Sequence, residues 1–305
     1  MVFGYWFDFC NEPRLQYEWV KRDPSLKIAV REQSAAFFNG VKLQKTGWVK
    51  ISGRNVRCAA FSPPEEMDNE SCWSMEIEDV VLLVWNAPKR EILYTKRGAY
   101  TPQQLQYWIY HTFFPMILEL GRQQNILHVG SVEVEGKPVL FSAFSFGGKS
   151  TLTDYFLKQG HRLLSDDSLG IEKREDGYYA IPSYPFHRPF RQLETLGYYT
   201  ENFSTTPKPV HAVYRLKKVA PNTAVSISEL KGIEKFKAFH YSVFVNFDFM
   251  KQERFVFFTK MAKAVPVYQL QIPWDKARLP EVYEQIVQHS RMVAGQETAD
   301  VISEC

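Results

Sequence analysis

The sequence is poor in cysteine: Cys10, Cys58, Cys72 and Cys305 are the only four, they stand far apart, and no two form a C-x-x-C pair. That spacing argues against a disulfide framework and against paired-thiolate zinc ligands, and it suits a reducing cytoplasm. Long apolar runs are missing too. Stretches such as Val80 to Trp85 fall far short of the roughly 20 residues that span a bilayer, so neither a transmembrane helix nor a membrane partner is expected. Met1 to Cys10 is aromatic but interrupted by Gly4 and Asp8. It lacks the basic start and long apolar core of a secretory signal, and reads as a first strand. No block of lysine or arginine occurs, and a formal charge of +3 is spread along the chain, which argues against a nucleic-acid partner. Repeats and low-complexity tracts are absent.

What remains is ordinary globular material. With 305 residues, 45% apolar and 23% charged, the chain can bury one large core or two modest ones. Residues 1–100 offer short β-branched and aromatic segments, such as Gly47 to Ser52, Val56 to Phe61 and Val80 to Trp85, separated by Gly, Pro and Asn. They predict a β-rich, mainly antiparallel region. Thr101-Pro102-Gln103-Gln104 is a capping box that opens a helix running to about Arg122, with a kink expected at Pro115. Residues 101–305 form the second expected domain. There Leu127 to Glu135 and Pro138 to Phe144 predict a hairpin around Glu135-Gly136-Lys137. A short helix follows and stops at Gly160, then a strand from Arg162 to Ser165, and a further hairpin is expected near Gly177. A strand at Val265 to Ile272 and a helix near Leu279 to Met292 come last, leaving a polar, mobile tail. The fold class is therefore α/β (α+β), a mixed sheet packed with helices.

Ala143-Phe144-Ser145-Phe146-Gly147-Gly148-Lys149-Ser150, followed by Thr151, fits the Walker A frame G-x-x-x-x-G-K-[ST] with alanine for the first glycine. In such a P-loop, backbone N–H groups wrap phosphates, the lysine reaches the outer phosphates and the hydroxyl holds Mg²⁺. Alanine is tolerable at the first position only if φ there is negative. A strand before the loop and a helix after it put the phosphate at a helix N-terminus. Taken alone, the motif is as compatible with an ordinary glycine turn.

Distance supplies the second half. The helix from Lys149 to Gln159 rises roughly 16 Å at about 1.5 Å per residue, and a return strand from His161 to Ser165 covers roughly 16 Å at about 3.3 Å per residue. Asp166 and Asp167 thus return to the loop, where one carboxylate can hold Mg²⁺ and the other accept a hydroxyl proton. The plain alternative is an Asp-Asp-Ser turn in solvent. Pro182 to Arg188 is a proline-rich loop whose Arg188 either stabilises a transferring phosphoryl group or is simply solvated.

Leu127 to Val134, the loop, and Gly160 to Asp167, in that order and with so short an interval between lysine and acidic pair, resemble the core of HPr serine kinase/phosphorylase and its relatives in the phosphoenolpyruvate carboxykinase superfamily. The resemblance covers about Ile126 to Arg188. It implies that residues 145–151 (Ser145, Phe146, Gly147, Gly148, Lys149, Ser150 and Thr151) bind ATP, with Lys149 on the β- and γ-phosphates. Ser150 and Asp167 hold Mg²⁺, and Asp166 is the general base. His128 and His161 fall at the edge of the site or serve as structural histidines. HPr kinases carry an acidic residue where Thr151 stands, which argues against a phosphorylase activity. The implied function is a cytoplasmic ATP-dependent kinase acting on a hydroxyl, such as a serine of a peptide or small protein, including lasso-peptide precursors. A small-molecule acceptor and a non-catalytic nucleotide-binding regulator stay open, as does homo-oligomerisation.

Overall fold

A computed structural model describes residues 1–15, 23–34, 44–60, 62–63, 66–144, 146–190 and 192–303. Its contacts divide the chain into two units, Met1–Ile126 with Arg191–Gly197, and Leu127–Phe190 with Tyr198–Cys305. The dividing line falls after Ile126 and not at residue 100, because the helical stretch following Tyr100 packs with the β-rich region.

The first unit is built on an eight-stranded sheet. Arg54–Ala60, Trp73–Ile77, Val81–Asn86 and Glu91–Lys96 form an antiparallel meander. Trp6–Phe9 and Lys27–Glu32 add to it in parallel. Along Val81–Asn86 every second residue is buried, the period of a half-covered strand. Thr101 caps the helix as its sequence predicts, its Oγ1 accepting the Gln104 N–H at 3.2 Å. Just before Pro115, where a kink is expected, the chain makes a π-helical turn over Ile109–Phe113, closed by the Phe114 N–H on the Ile109 carbonyl. A proline cannot donate to the preceding turn, and the wider turn absorbs that loss without ending the helix. The α-helix resumes over Phe114–Leu120.

In the second unit the site-bearing elements are β1 (Gly130–Val134), β2 (Lys137–Ser142), α1 (Lys149–Lys158), β3 (Leu163–Ser165), β4 (Ala212–Val219), β5 (Ser226–Glu229), α2 (Ile233–His240), α3 (Lys251–Ala264), β6 (Val267–Pro273) and α4 (Leu279–Ser303). The strands lie in the order β3-β1-β2-β4-β6-β5. Glu135 and Gly136 both take positive φ, the geometry of the two-residue turn that joins β1 to β2.

Side chains alternate across this sheet. Val139, Phe141, Ala212 and Tyr214 pack with Leu152 and Phe156 of α1 and with Val282 and Ile286 of α4. Leu140 and Val213 point the other way, into a cluster with Ala238 and Phe239 of α2 and Phe258 and Met261 of α3. Helices on both faces are what a sheet with parallel strands at its centre needs to bury them. The polar tail is not a separate segment: α4 continues through Gly295 to Ser303, with no proline after Met292 to stop it.

Candidate active site at one edge of the sheet

β2 ends at Ser142 and α1 begins at Lys149, so the glycine-bearing loop joins a central strand to a helix N-terminus. Ala143 keeps a negative φ, which explains why it can replace glycine. The unusual dihedral falls on Phe146, at φ 61, a left-handed conformation costing an L residue about 1–2 kcal/mol. Gly148 is also left-handed, at φ 94. At Gly147 an added Cβ would lie 2.4 Å from the Ala143 Cβ and 2.7 Å from the Phe144 carbonyl oxygen. The Gly147 N–H donates to that carbonyl at 2.9 Å. Ser145 lies outside the described residues. Ser150 and Thr151, in the first turn of α1, are partly exposed.

Lys149 is 6% exposed, and its Nζ donates to the Ala143 carbonyl at 2.8 Å. Burial lowers its pKa, while the charges of Asp167 and Asp166 act in the opposite sense. That opposition puts the ammonium within electrostatic reach of both carboxylates. The strand directions give the reason. β3 is antiparallel to β1, and β1 is antiparallel to β2. β3 and β2 therefore run the same way and end at the same edge, which delivers Asp166 and Asp167 beside the loop.

The two aspartates have different surroundings. Asp166 is 3% exposed. Its Oδ2 accepts the Arg188 main-chain N–H at 2.8 Å, while no described group bonds its buried Oδ1. Burial raises its pKa to about 6; the Arg188 N–H works against this, and the Asp167 charge adds to it. Asp167 is less buried and sits between two basic side chains. Its Oδ2 accepts from the Arg188 guanidinium at 2.9 Å, and its Oδ1 lies 3.1 Å from His128 Nδ1. Arg188 is held in place by the short strand Phe186–His187, which pairs with Tyr198–Tyr199.

The structure thus brings together Lys149, Asp166, Asp167, His128 and Arg188. It does not bring His161 to them. That ring bonds the Glu133 carbonyl at 2.7 Å and the Tyr283 hydroxyl at 3.0 Å, so it braces β1 against α4. Tyr178 is a core residue. Other site-shaping residues carry no local sequence signal. A Cβ on Gly130 would sit 2.4 Å from Thr153 Oγ1, so glycine there lets β1 and α1 approach closely. His187 Nε2 bonds Asp154 of α1 at 3.0 Å. Trp274 lies close enough to Gly148 that an added Cβ would meet its ring at 3.3 Å. Among the described residues no group of three or more His, Cys, Asp or Glu could hold a metal ion, so a cation here would need ligands beyond protein carboxylates.

No family model and no curated protein matches the chain. Among solved structures, the Hpr(Ser) kinase/phosphatase from Coxiella burnetii is similar over 59% of this chain and 99% of that one, at 14% identity and a TM-score of 0.37. Likeness that distant adds no residue-level information, and the chemistry has to be read from the site itself. That site belongs to a mixed α/β chain with several sheets.

Proposed function

We propose that the second unit is a phosphotransferase that binds Mg²⁺ and ATP through residues 143–151 and passes the γ-phosphoryl group to a hydroxyl, by preference a serine of a peptide or small protein. One observation carries this reading: a buried carboxylate with an unbonded oxygen, Asp166, stands at the strand edge that also carries a buried lysine and a helix N-terminus. A hydroxyl substrate would give that oxygen a hydrogen bond, and a buried acceptor left without one is costly.

The roles follow from the environments. Asp166, with its pKa near 6, is ionised at neutral pH yet basic enough to take a proton. It accepts the acceptor's hydroxyl proton as that oxygen bonds to the γ-phosphorus. The bond from phosphorus to the bridging oxygen breaks, and its electron pair leaves on the β-phosphate. Lys149 and the loop N–H groups hold the phosphates. Arg188, which here balances Asp167, supplies positive charge beside the transferring group, and His128, 3.1 Å from Asp167 Oδ1, lies next to it. Mg²⁺ would be held by Asp167 and Ser150, with phosphate oxygens and waters completing its shell, and would neutralise charge on the β- and γ-oxygens. Two protein ligands suit that partly hydrated ion, which seldom uses an all-protein cage.

The test is transfer of label from γ-labelled ATP to serine-containing peptides and, separately, to small hydroxyl compounds, by the wild type and Asp166→Asn. Loss of transfer with nucleotide affinity retained supports catalysis. Unchanged transfer by Asp166→Asn would remove Asp166 as the base, and nucleotide binding by the wild type without transfer to any acceptor would leave only the nucleotide-binding regulator.

A further inference from the structure

We infer that Trp274, with Lys218, forms the platform on which the base of the nucleotide stacks, which makes the donor a nucleoside triphosphate and not pyrophosphate or another inorganic polyphosphate. The inference rests on the phosphate-loop reading above and deepens it.

Strand order sets the direction of the ligand. Asp166 and Asp167 follow β3, on one side of the loop strand β2, whereas β4 and β6 lie on its other side. β4 and β6 run parallel to β2, so their C-terminal ends reach the same edge. A triphosphate whose terminal phosphorus faces Asp166 must extend its remaining phosphates and sugar across the loop, toward β4 and β6. What stands there is aromatic and basic. In the pairing register the last residue of β2, Ser142, is level with Arg215, yet β4 continues to Val219. β4 and β6 therefore overhang the start of the loop by four residues, roughly 13 Å at about 3.3 Å each.

Trp274 sits at the tip of that overhang, its main-chain N–H donating to the Val219 carbonyl at 3.0 Å. The indole is 53% exposed and lies against Gly148. The Lys218 ammonium is 3.7 Å from the ring centroid, a cation–π contact that orients the indole and adds positive charge beside the path of the phosphates. A large exposed aromatic tied to the mouth of a phosphate loop suits a flat π-system, and stacking accepts any base. The platform therefore favours nucleotides over inorganic polyphosphates without choosing adenine over guanine.

The experiment is calorimetric titration of the full chain and of Trp274→Ala and Trp274→Phe, each with Mg·ATP, Mg·GTP and Mg·tripolyphosphate. Base stacking is worth about 1–3 kcal/mol, so Trp274→Ala is expected to lose at least roughly fivefold in affinity for both nucleotides, keep its affinity for tripolyphosphate, and regain most of the nucleotide affinity as Trp274→Phe. An equal loss for all three ligands would mean that Trp274 only props Gly148, and would overturn the inference. So would a wild type that binds tripolyphosphate as tightly as ATP, although the phosphate-loop reading would survive. A wild type that binds none of the three would remove both.

Discussion

Arg188 holds Asp167 at 2.9 Å through its guanidinium while its main-chain N–H holds the neighbouring Asp166 at 2.8 Å. One residue thus contacts both members of the acidic pair by chemically separate groups, and mutation can separate them. Arg188→Met keeps the N–H bond and deletes the charge. We expect kcat for phosphoryl transfer to fall roughly 100-fold or more, as for loss of a charge-stabilising donor, with little change in melting temperature. A large melting shift without a kcat effect would make the arginine structural.

The role proposed for Asp166 would connect catalysis to stability through pH. Its folded pKa of about 6 lies above the ordinary value of about 3.9, so the folded state holds this proton more tightly than the unfolded chain. The stability it contributes is fully present below about pH 4 and is lost as pH rises through 6. The difference of about two units corresponds to about 3 kcal/mol at neutral pH. Asp166→Asn should therefore melt higher than wild type at pH 7.5, with the gain shrinking toward pH 4.5, while transfer activity disappears. Thermal denaturation at the two pH values checks this, and equal gains at both would refute the assignment.

The same ionisation should shape the rate. In wild type, kcat/KM is expected to rise with pH along an acid limb centred near 6, as Asp166 becomes able to accept a proton. A pH profile flat from 5 to 7.5 would show that some other group takes the proton.

Gly147 has no room for a side chain. Gly147→Ala would push a Cβ to within 2.7 Å of a backbone oxygen, so the loop must open. Nucleotide affinity should fall at least roughly tenfold, a loss of about 1.4 kcal/mol or more. Adding Ala143→Gly removes the other clash but leaves the Phe144 carbonyl in place, so the double variant should bind no better. Titration of the single and double variants with Mg·ATP decides it.

Phe146 offers the opposite case. Its side chain is 77% exposed and its φ is 61, so Phe146→Gly sheds about 1–2 kcal/mol of backbone strain, against the entropic cost of glycine, about 0.5–1 kcal/mol. Chemical denaturation should show stability unchanged or slightly raised. A loss above about 1 kcal/mol would indicate that the ring makes contacts worth more than the strain.

Much of this site was legible because it lies close together along the chain. Residues 127–167 hold a hairpin turn, a loop motif, a helix stop at Gly160 and an acidic pair, and helix rise set against strand rise is enough to place Asp166 and Asp167 near Lys149. Arg188 was readable only as a cation in a proline-rich loop, because its pairing depends on the 186–187 and 198–199 strands meeting. Trp274 carried no signal, since only the insertion of β4 and β6 beside β2 brings residue 274 next to residue 148. His161 stayed open between two roles: a histidine following a helix stop looks the same in sequence whether it faces phosphate or Tyr283. The π-turn before Pro115 went unseen because a proline within a helical pattern predicts a disturbance without specifying its form.

The contact division also has a practical outcome for anyone wishing to dissect the molecule. Residues 191–197 cluster with the first unit, where Glu194 accepts two bonds from Arg54 and one each from Gln104 and Trp108. The polypeptide consequently crosses from one unit to the other three times, and no single scission yields two intact halves. A fragment stopping at residue 126 would leave the Arg54 guanidinium without its carboxylate, and one starting at 127 would carry Glu194 on a stretch torn from its anchor. Isolated pieces are therefore poor surrogates for the whole chain.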